Sequence, residues 1–572
     1  MKRTIFVVLL FATIAVLIGL GIGLYFGLYI EKPKPPLQQA AVAGGTPECM
    51  DLGKSILLQE GSAVDCAVAV VLCEGVTTPQ SSGLGGGLIA QVFIKETGTI
   101  ETLNAREVAP IAATRDMFDD ATSSQGGLAI AVPAALKGLY ALHSKYGRLD
   151  WKHIVLSVAE IADNGFSVSR FLDDTLSGRS ELFKSLPLFN ETFTNPMTGE
   201  LYKQGEIMRN HKLANALKII ADEGADAIYG GGSLAQGLVN EIQEAGGIIT
   251  LEDLRLYEPK WGTPIESRLF NGDRLYSCPL PSTSILVTFV LNILNGYNFQ
   301  QNSLRYYDGE NPIFFHILTE AFKFAFGKRT KLGDELTEDV LNHVAEMASA
   351  DYSELIRSRI RNDTTFQDIG YYGANSTSVE DHGTAHFSIL ASNGDAVSIT
   401  ATINSVMGSL VMSGSTGIVF NNEMNDFSIP KPGNTNIPTP ANFITPGKSP
   451  LSSMTPVLVL DDNNDIKLVL GAAGGYMIPT SVIQVILYYM YFDQSLQTSI
   501  DMRRMHHQLQ PMTIRHEYDY NPFILKHLSD KGHNLTEAAP LSGFAALAGI
   551  GIKNGRIEAA MDQRRGGIVH IF

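Results

Sequence analysis

A threonine hydroxyl is a weak nucleophile unless a base removes its proton. A chain can supply that base by making the threonine an N-terminus, because a free α-amino group has a pKa near ~7.7–8.0. Gly383-Thr384 is a pair at which such chemistry could begin. Gly383 has no Cβ, so it can enter the backbone conformations that bring the Thr384 hydroxyl to the preceding carbonyl. Taken alone, the pair is also an ordinary strand start. His386 follows on the same strand face, as a catalytic partner or as a polar structural residue. No G-x-S-x-G elbow offers a conventional serine–histidine arrangement.

Other groups have the types to hold charge. In VFNNEMNDFS, Glu423 and Asp426 stand three apart and could bind a metal or a ligand ammonium, or line a solvated turn; a calcium-loop pattern is absent. In LVLGAAGGYMIPTS, the glycines of the run Gly471 to Gly475 would let backbone N–H groups approach an oxyanion, or would permit a close helix–sheet crossing. SSGLGGG, residues 81 to 87, lacks the Lys-Ser/Thr of a phosphate loop and reads as a tight turn. His506 and His507 are adjacent, so on a helix they would point apart and make a poor metal pair. No structural zinc and no cofactor are expected.

The elements that must position Thr384 are legible as alternation. TAHFSIL puts Thr384, His386 and Ser388 on one face, AVSITATIN puts Ser398, Thr400, Thr402 and Asn404 on one face, and Asn393-Gly394 lies between them. A two-residue loop would oppose Thr384 to Ile403 and mix the faces. A three-residue loop over 392–394, with Gly394 left-handed, opposes Thr384 to Thr402. Between roughly residues 50 and 383, helical stretches such as SAVDCAVAVVLCEGV and NPIFFHILTEAFKFAFGKRTKLG alternate with short strand-like runs, which indicates an α/β or α+β body. Residues 431–450 form a Pro/Asn-rich loop.

The chain has 572 residues and 45% hydrophobic content, enough for a large core. Its net charge of −16, without a basic stripe, argues against nucleic acid as a partner. Residues 5–30 are apolar and uncharged, and as a helix would span a bilayer core of roughly 30 Å. Lys2 and Arg3 precede this segment, which predicts a cytoplasmic tail over 1–4, a signal anchor over 5–30 and the bulk outside the cell, a single-pass type II arrangement at the plasma membrane. A stalk is assigned to 31–48, with EKPKPPLQQ extended and the folded part beginning near Ala40. Sequons at Asn190, Asn362, Asn375 and Asn534 agree with an external location. The cysteines Cys49, Cys66, Cys73 and Cys278 permit one or two bridges, whose pairing spacing does not reveal.

Taken in order, SAVDCAVAVVLC, SSGLGGG, NAREVAP, GGLAIAVP, EAGGIITLEDL, DHGTAH, ATINS, NNEMNDFS, PLSSM and GAAGGYMI resemble the motifs of the gamma-glutamyltransferases, also called glutathione hydrolases. The resemblance implies an N-terminal-nucleophile (Ntn) hydrolase αββα sandwich. It also implies self-cleavage before Thr384 into a large subunit, 49–383, and a small catalytic subunit, 384–572, which stay together as a heterodimer. By the same resemblance Arg106, Ser452 and Ser453 would hold the donor's α-carboxylate, and Asn404, Glu423 and Asp426 its α-ammonium, leaving no metal at the carboxylates. Thr384 would attack the γ-carbonyl with its own amino group as base, Gly474 and Gly475 would stabilise the oxyanion, and Thr402 would orient the hydroxyl or assist the cut. The implied donors are glutathione and other gamma-glutamyl compounds, the acceptors amino acids, dipeptides or water. Cys49 and Cys73 match a family bridge, while Cys66 and Cys278 look unpaired. Ser405-Val406-Met407 departs from the aromatic that some animal members carry on the acceptor side, and the cysteines of a second family bridge near residue 190 are absent. An inactive membrane-anchored homologue and an Ntn amidase for other amides are the competing readings.

Overall fold

The computed structural model describes residues 39–118, 123–297, 299, 312–334, 336–374, 383–430, 438–539 and 544–572. The proposed anchor over 5–30 and Asn375 lie outside them. Among the described residues no helix is long and apolar enough to cross a membrane.

Two antiparallel sheets dominate. Their strands, in chain order, are β1 (Ala41–Gly44), β2 (Gly87–Ile94), β3 (Thr99–Ala105), β4 (Lys260–Gly262), β5 (Ile265–Arg268), β6 (Arg274–Ser277) and β7 (Gly383–Leu390). There follow β8 (Ala396–Asn404), β9 (Val457–Leu460), β10 (Ile466–Ala473), β11 (Ala546–Lys553), β12 (Arg556–Met561) and β13 (Ile568–Ile571). The first sheet runs β13-β1-β7-β8-β2-β3-β4 and the second β12-β11-β10-β9-β6-β5. The sheets face each other through β7 and β8 against β10, and β7 against β11.

Helices cover both outer faces: α1 (Pro47–Leu58) and α2 (Ala63–Thr77) on one side, α3 (Ile285–Asn295), α4 (Ile313–Arg329) and α5 (Met477–Ile486) on the other. This is the four-layer αββα arrangement. A capping box starts α2, with the Asp65 N–H donating to Ser62 Oγ at 3.0 Å and the Ser62 N–H donating to Asp65 Oδ2 at 2.8 Å. Nearly every α2 residue is buried, and the Cys49–Cys73 disulfide ties α1 to it. Cys66 and Cys278 are buried and unbridged.

The hairpin has the expected register, with Thr384 opposite Thr402 and Leu390 opposite Ala396. Gly394 closes the loop at φ 91°, its N–H donating to Ala391 O at 2.9 Å. Phe387, Ile389, Val397, Ile399, Ala401 and Ile403 join the core under α2. The polar face is buried too, pressed on the second sheet: Ser388 Oγ donates to Val469 O and Ala548 O, at 3.2 and 3.1 Å, and Ser398 Oγ to Leu470 O at 3.1 Å. Alternation thus marks two different buried layers, one apolar and one hydrogen-bonded.

Two expectations need correction. The stalk does not extend to residue 48: β1 is buried between β7 and β13, and α1 starts at Pro47, so residues 41–48 belong to the body. His506 and His507 lie not on a helix but at a short strand, Met505–His506. His506 Nδ1 meets Thr480 Oγ1 at 2.8 Å, and the Leu509 N–H donates to His507 Nδ1 at 3.0 Å.

Candidate active site

Thr384 sits at the start of β7 and is buried. Its Oγ1 lies 3.5 Å from Thr402 Oγ1. The Thr402 hydroxyl donates to Gly383 O, the carbonyl immediately before Thr384, and accepts from the Asn404 N–H at 2.9 Å. That accepted bond turns the Thr402 proton toward Gly383. The register shifts between Thr402 and Asn404, and Asn404 adopts φ 68°, a conformation uncommon for a residue with a side chain. Close glycine packing supports this irregularity: a Cβ on Gly86 would stand 2.0 Å from Thr402 O. The glycine turn expected at 81–87 is therefore part of the wall behind Thr402.

His386 makes its side-chain hydrogen bonds away from Thr384 and Thr402. It bonds Thr400 Oγ1 at 2.8 Å through Nδ1 and Ser388 Oγ at 3.2 Å through Nε2, and burial pushes its pKa down to about 3. A neutral ring held this way is a structural group of the inter-sheet layer.

Arg106 follows β3, and its guanidinium is fully buried. One nitrogen pairs with Glu423 Oε1, another with Asp426 Oδ2, and further bonds reach Pro450 O and Leu451 O, both at 3.3 Å. The resemblance assigned Arg106 to an anion and the two acids to a cation, as separate sites. In the structure Arg106 pairs with both acids, one cation against two carboxyl groups. A zwitterionic head group has the charges to divide them, its carboxylate taking Arg106 and its ammonium the acids. Ser452 and Ser453, both buried, directly follow Pro450-Leu451; Arg329 Nη2 reaches Ser453 Oγ at 3.5 Å.

Glu423 and Asp426 lie on a 3-10 turn, Glu423–Asp426, whose first half is buried and whose Asn425-Asp426 end is half-buried, with the Asp426 side chain turned inward. Asn421 and Asn422 fix it. Asn421 bonds Gly85 O and Ala131 O at 2.7 and 2.9 Å, and Asn422 bonds Ser124 O at 2.9 Å. Asn404 Nδ2 donates to Asn422 O at 2.9 Å, and Asn404 Oδ1 is buried without a hydrogen-bond partner among the described residues. An acceptor left over beside two carboxylates suits an ammonium. Burial raises the Asp426 carboxyl above the ordinary range, against the pull of Arg106.

Gly474 and Gly475 lead into α5 with φ 136° and 61°. A Cβ on Gly474 would stand 2.6 Å from Ala545 Cα, and one on Gly471 would stand 2.3 Å from His386 Cε1. Close packing thus accounts for Gly471 and Gly474, and Gly475 makes a left-handed turn into the helix N-terminus. Gly474 also lines an open cavity of about 840 Å³ with Val406, Arg515, Tyr518 and Arg565.

Sequence reasoning missed Arg565, which donates through Nη1 to Thr384 O and stacks on Phe171 at 4.5 Å. Burial lowers its pKa to about 10 against the pull of Glu74 and Asp562. Only a C-terminal Arg-Arg-Gly-Gly run marks it, which carries no chemical signature. The Asn421-Asn422 pair was equally silent, because its work is to hold backbone from distant segments.

A family model described as Gamma-glutamyltranspeptidase matches residues 49–572. The chain is 38% identical over 553 residues to Scoloptoxin SSD14 of Scolopendra dehaani, covering 95% of this chain and 93% of that protein. It is 38% identical to Glutathione hydrolase 2 of Arabidopsis thaliana, covering 92% and 93%. A cephalosporin acylase from Bacillus halodurans shares the fold at a TM-score of 0.79, with 22% identity over 95% of this chain and 98% of that one. With a family model spanning nearly the whole described body and relatives 38% identical over most of its length, this chain belongs to the gamma-glutamyltranspeptidase family.

Proposed function

We propose that the chain cuts itself before Thr384 and then cleaves the γ-glutamyl bond of glutathione and related compounds, passing the γ-glutamyl group to amino acids, dipeptides or water. The observation that carries this reading is the Thr402 hydroxyl donating to Gly383 O with the Thr384 hydroxyl 3.5 Å from it. In the first stage Thr384 Oγ1 attacks the Gly383 carbonyl carbon and the C–N bond to Thr384 breaks. The proton from Oγ1 passes to the departing nitrogen. Water then hydrolyses the ester, leaving a Gly383 carboxylate and a free Thr384 amino group.

In the second stage that amino group takes the hydroxyl proton as Oγ1 attacks a γ-carbonyl. The N–H groups of Gly474 and Gly475 face the oxyanion. Arg106 with Ser452 and Ser453 receives the donor's carboxylate, and Asn404, Glu423 and Asp426 receive its ammonium. Selection for a γ-linked glutamyl group follows, since only there are both α-charges free. The acyl-enzyme then gives its group to an incoming amine or water.

The two products would remain a heterodimer, anchored by 5–30 with the body outside the cell. The apolar run supports the anchor. Three sequons, Asn190, Asn362 and Asn534, are exposed and so accessible to glycosylation. N-terminal sequencing after denaturing electrophoresis tests the first stage: a small chain beginning Thr-Ala-His-Phe is expected, and a chain that stays whole overturns it. Release of dye from a γ-glutamyl anilide but not from its des-amino analogue tests the second.

A further inference from the structure

A second cluster of chemically able side chains lies in the helical layer behind the second sheet. His316 and Glu320 stand one turn apart on α4, and His533 comes from the turn after the helix α6 (Pro522–Asp530). All three are buried, and their ligating atoms lie within 4.8 Å of one another. His316 Nδ1 is 2.9 Å from His533 Nε2. His316 Nε2 meets Arg361 O at 2.6 Å, so that nitrogen carries the proton and Nδ1 carries the lone pair. An imidazole oriented by a backbone carbonyl, with its other nitrogen free to ligate, is the usual support of a metal-bound histidine. The Glu320 carboxylate is supported in the same manner, by Thr365 Oγ1 at 2.6 Å and the Tyr372 hydroxyl at 2.9 Å.

We propose that His316 Nδ1, His533 Nε2 and one oxygen of Glu320 bind a divalent cation of the zinc class. Bonds of about 2.0–2.2 Å in a tetrahedron set ligand atoms roughly 3.3 Å apart. The two nitrogens have to open slightly and the carboxylate to close in. Binding moves the proton that His533 Nε2 shares with His316 Nδ1 to His533 Nδ1, so that both rings ligate as neutral imidazoles, and water completes the tetrahedron. Lys323 Nζ stands 3.4 Å from Glu320 Oε1 but is held by Thr365 Oγ1 and Phe366 O, at 2.6 and 2.7 Å. It therefore competes with the ion for one oxygen only.

His316 and Glu320 precede Thr384 in the chain and His533 follows it. An ion here joins segments on both sides of the proposed cut, a consequence that rests on self-cleavage; the site itself does not. The test uses the chelator-treated full chain carrying Thr384→Ala, so that cutting plays no part, titrated with Co²⁺ alone. One equivalent is expected to give an intense visible band that Zn²⁺ abolishes. His533→Gln keeps a donor to His316 Nδ1 but should weaken binding at least tenfold and lose the band. In the otherwise unaltered chain, this substitution should leave turnover of a γ-glutamyl anilide intact. No band at one equivalent, or the same band in folded His533→Gln, overturns the site.

Discussion

Thr402 is held by a bond it accepts from the Asn404 N–H and one it donates to Gly383 O, so its proton cannot turn elsewhere without losing a buried interaction. Thr402→Val keeps the shape and removes the donor. Self-cleavage should slow by about 10²–10³-fold, the usual loss for one oxyanion-type donor, and Thr402→Ser should restore most of it; band intensities over time measure both. Glu107, beside Arg106, gives a pH signature. Burial is the main cause that pushes its carboxyl up to about 7, against the pull of Arg106. Between an unfolded value near 4.5 and about 7, the folded state keeps a proton the unfolded state has released, so stability falls as pH rises through that window. Glu107→Gln should flatten the fall, removing a slope of at most about 1.4 kcal/mol per pH unit in urea midpoints measured from pH 4.5 to 7. At this scale the Thr384–Thr402 pair was legible because register is a counting problem. The Arg106–Glu423–Asp426 triad was not, since two segments more than 300 residues apart bring those charges together and no local pattern tells a cation that binds ligand from one that binds its own carboxylates.

The β7–β8 hairpin shows how an element can be read correctly and still be misplaced. Its alternation gave strands, loop and facing residues, but a polar face ordinarily means water, and here it means a second sheet. What makes the difference is small residues across the gap. Gly471 on β10 leaves room for His386, and Ser388 and Ser398 donate to carbonyls of β10 and β11. Gly471→Ala would place a methyl carbon 2.3 Å from His386 Cε1 and 2.5 Å from Nδ1. Neither sheet can retreat, being backed by its own helices, so overpacking should cost about 1–3 kcal/mol in urea unfolding. The His386 ring should then tilt off Thr400, loosening β7 two residues from Thr384 and lowering kcat more than KM. An unchanged unfolding midpoint would mean that the sheets are not rigidly packed at this point. Helices α2 and α4 were legible as apolar helical stretches. The irregular stretch at 438–450 that presents Ser452 and Ser453 was not, since its conformation comes from the segments it touches.

Over the whole molecule, both sheets interleave chain from before and after Thr384. In the first sheet β1, from before, is inserted between β7 and β13, from after, while β2 to β4 extend the β8 side. In the second, β5 and β6 from before continue the sheet that β9 to β12 build from after. Neither product of a cut at Gly383 retains a sheet with its own hydrogen-bonded edges, so the products should elute together in gel filtration and separate only in denaturant. The four residues of β1 are the narrowest point of this arrangement. Ala41 pairs with Leu390 on one side and Ile571 on the other, Val42 with Ile389 and His570, and Ala40 and Phe572 exchange backbone bonds of 2.8 and 3.0 Å. Removing β1 would therefore strip hydrogen bonds from two strands at once and open the core beneath Ala41, Val42 and Ala43, all fully buried. Two truncations with a supplied secretion signal separate tether from structure. Starting the chain at Gln39 should keep the melting midpoint and γ-glutamyl anilide turnover. Starting it at Thr46, seven residues later, should abolish soluble folded protein or lower the midpoint by at least about 10 °C, because loss of several buried strand bonds and three core residues exceeds a few kcal/mol. A Thr46 start with an unchanged midpoint would show that β7 and β13 close on each other without β1.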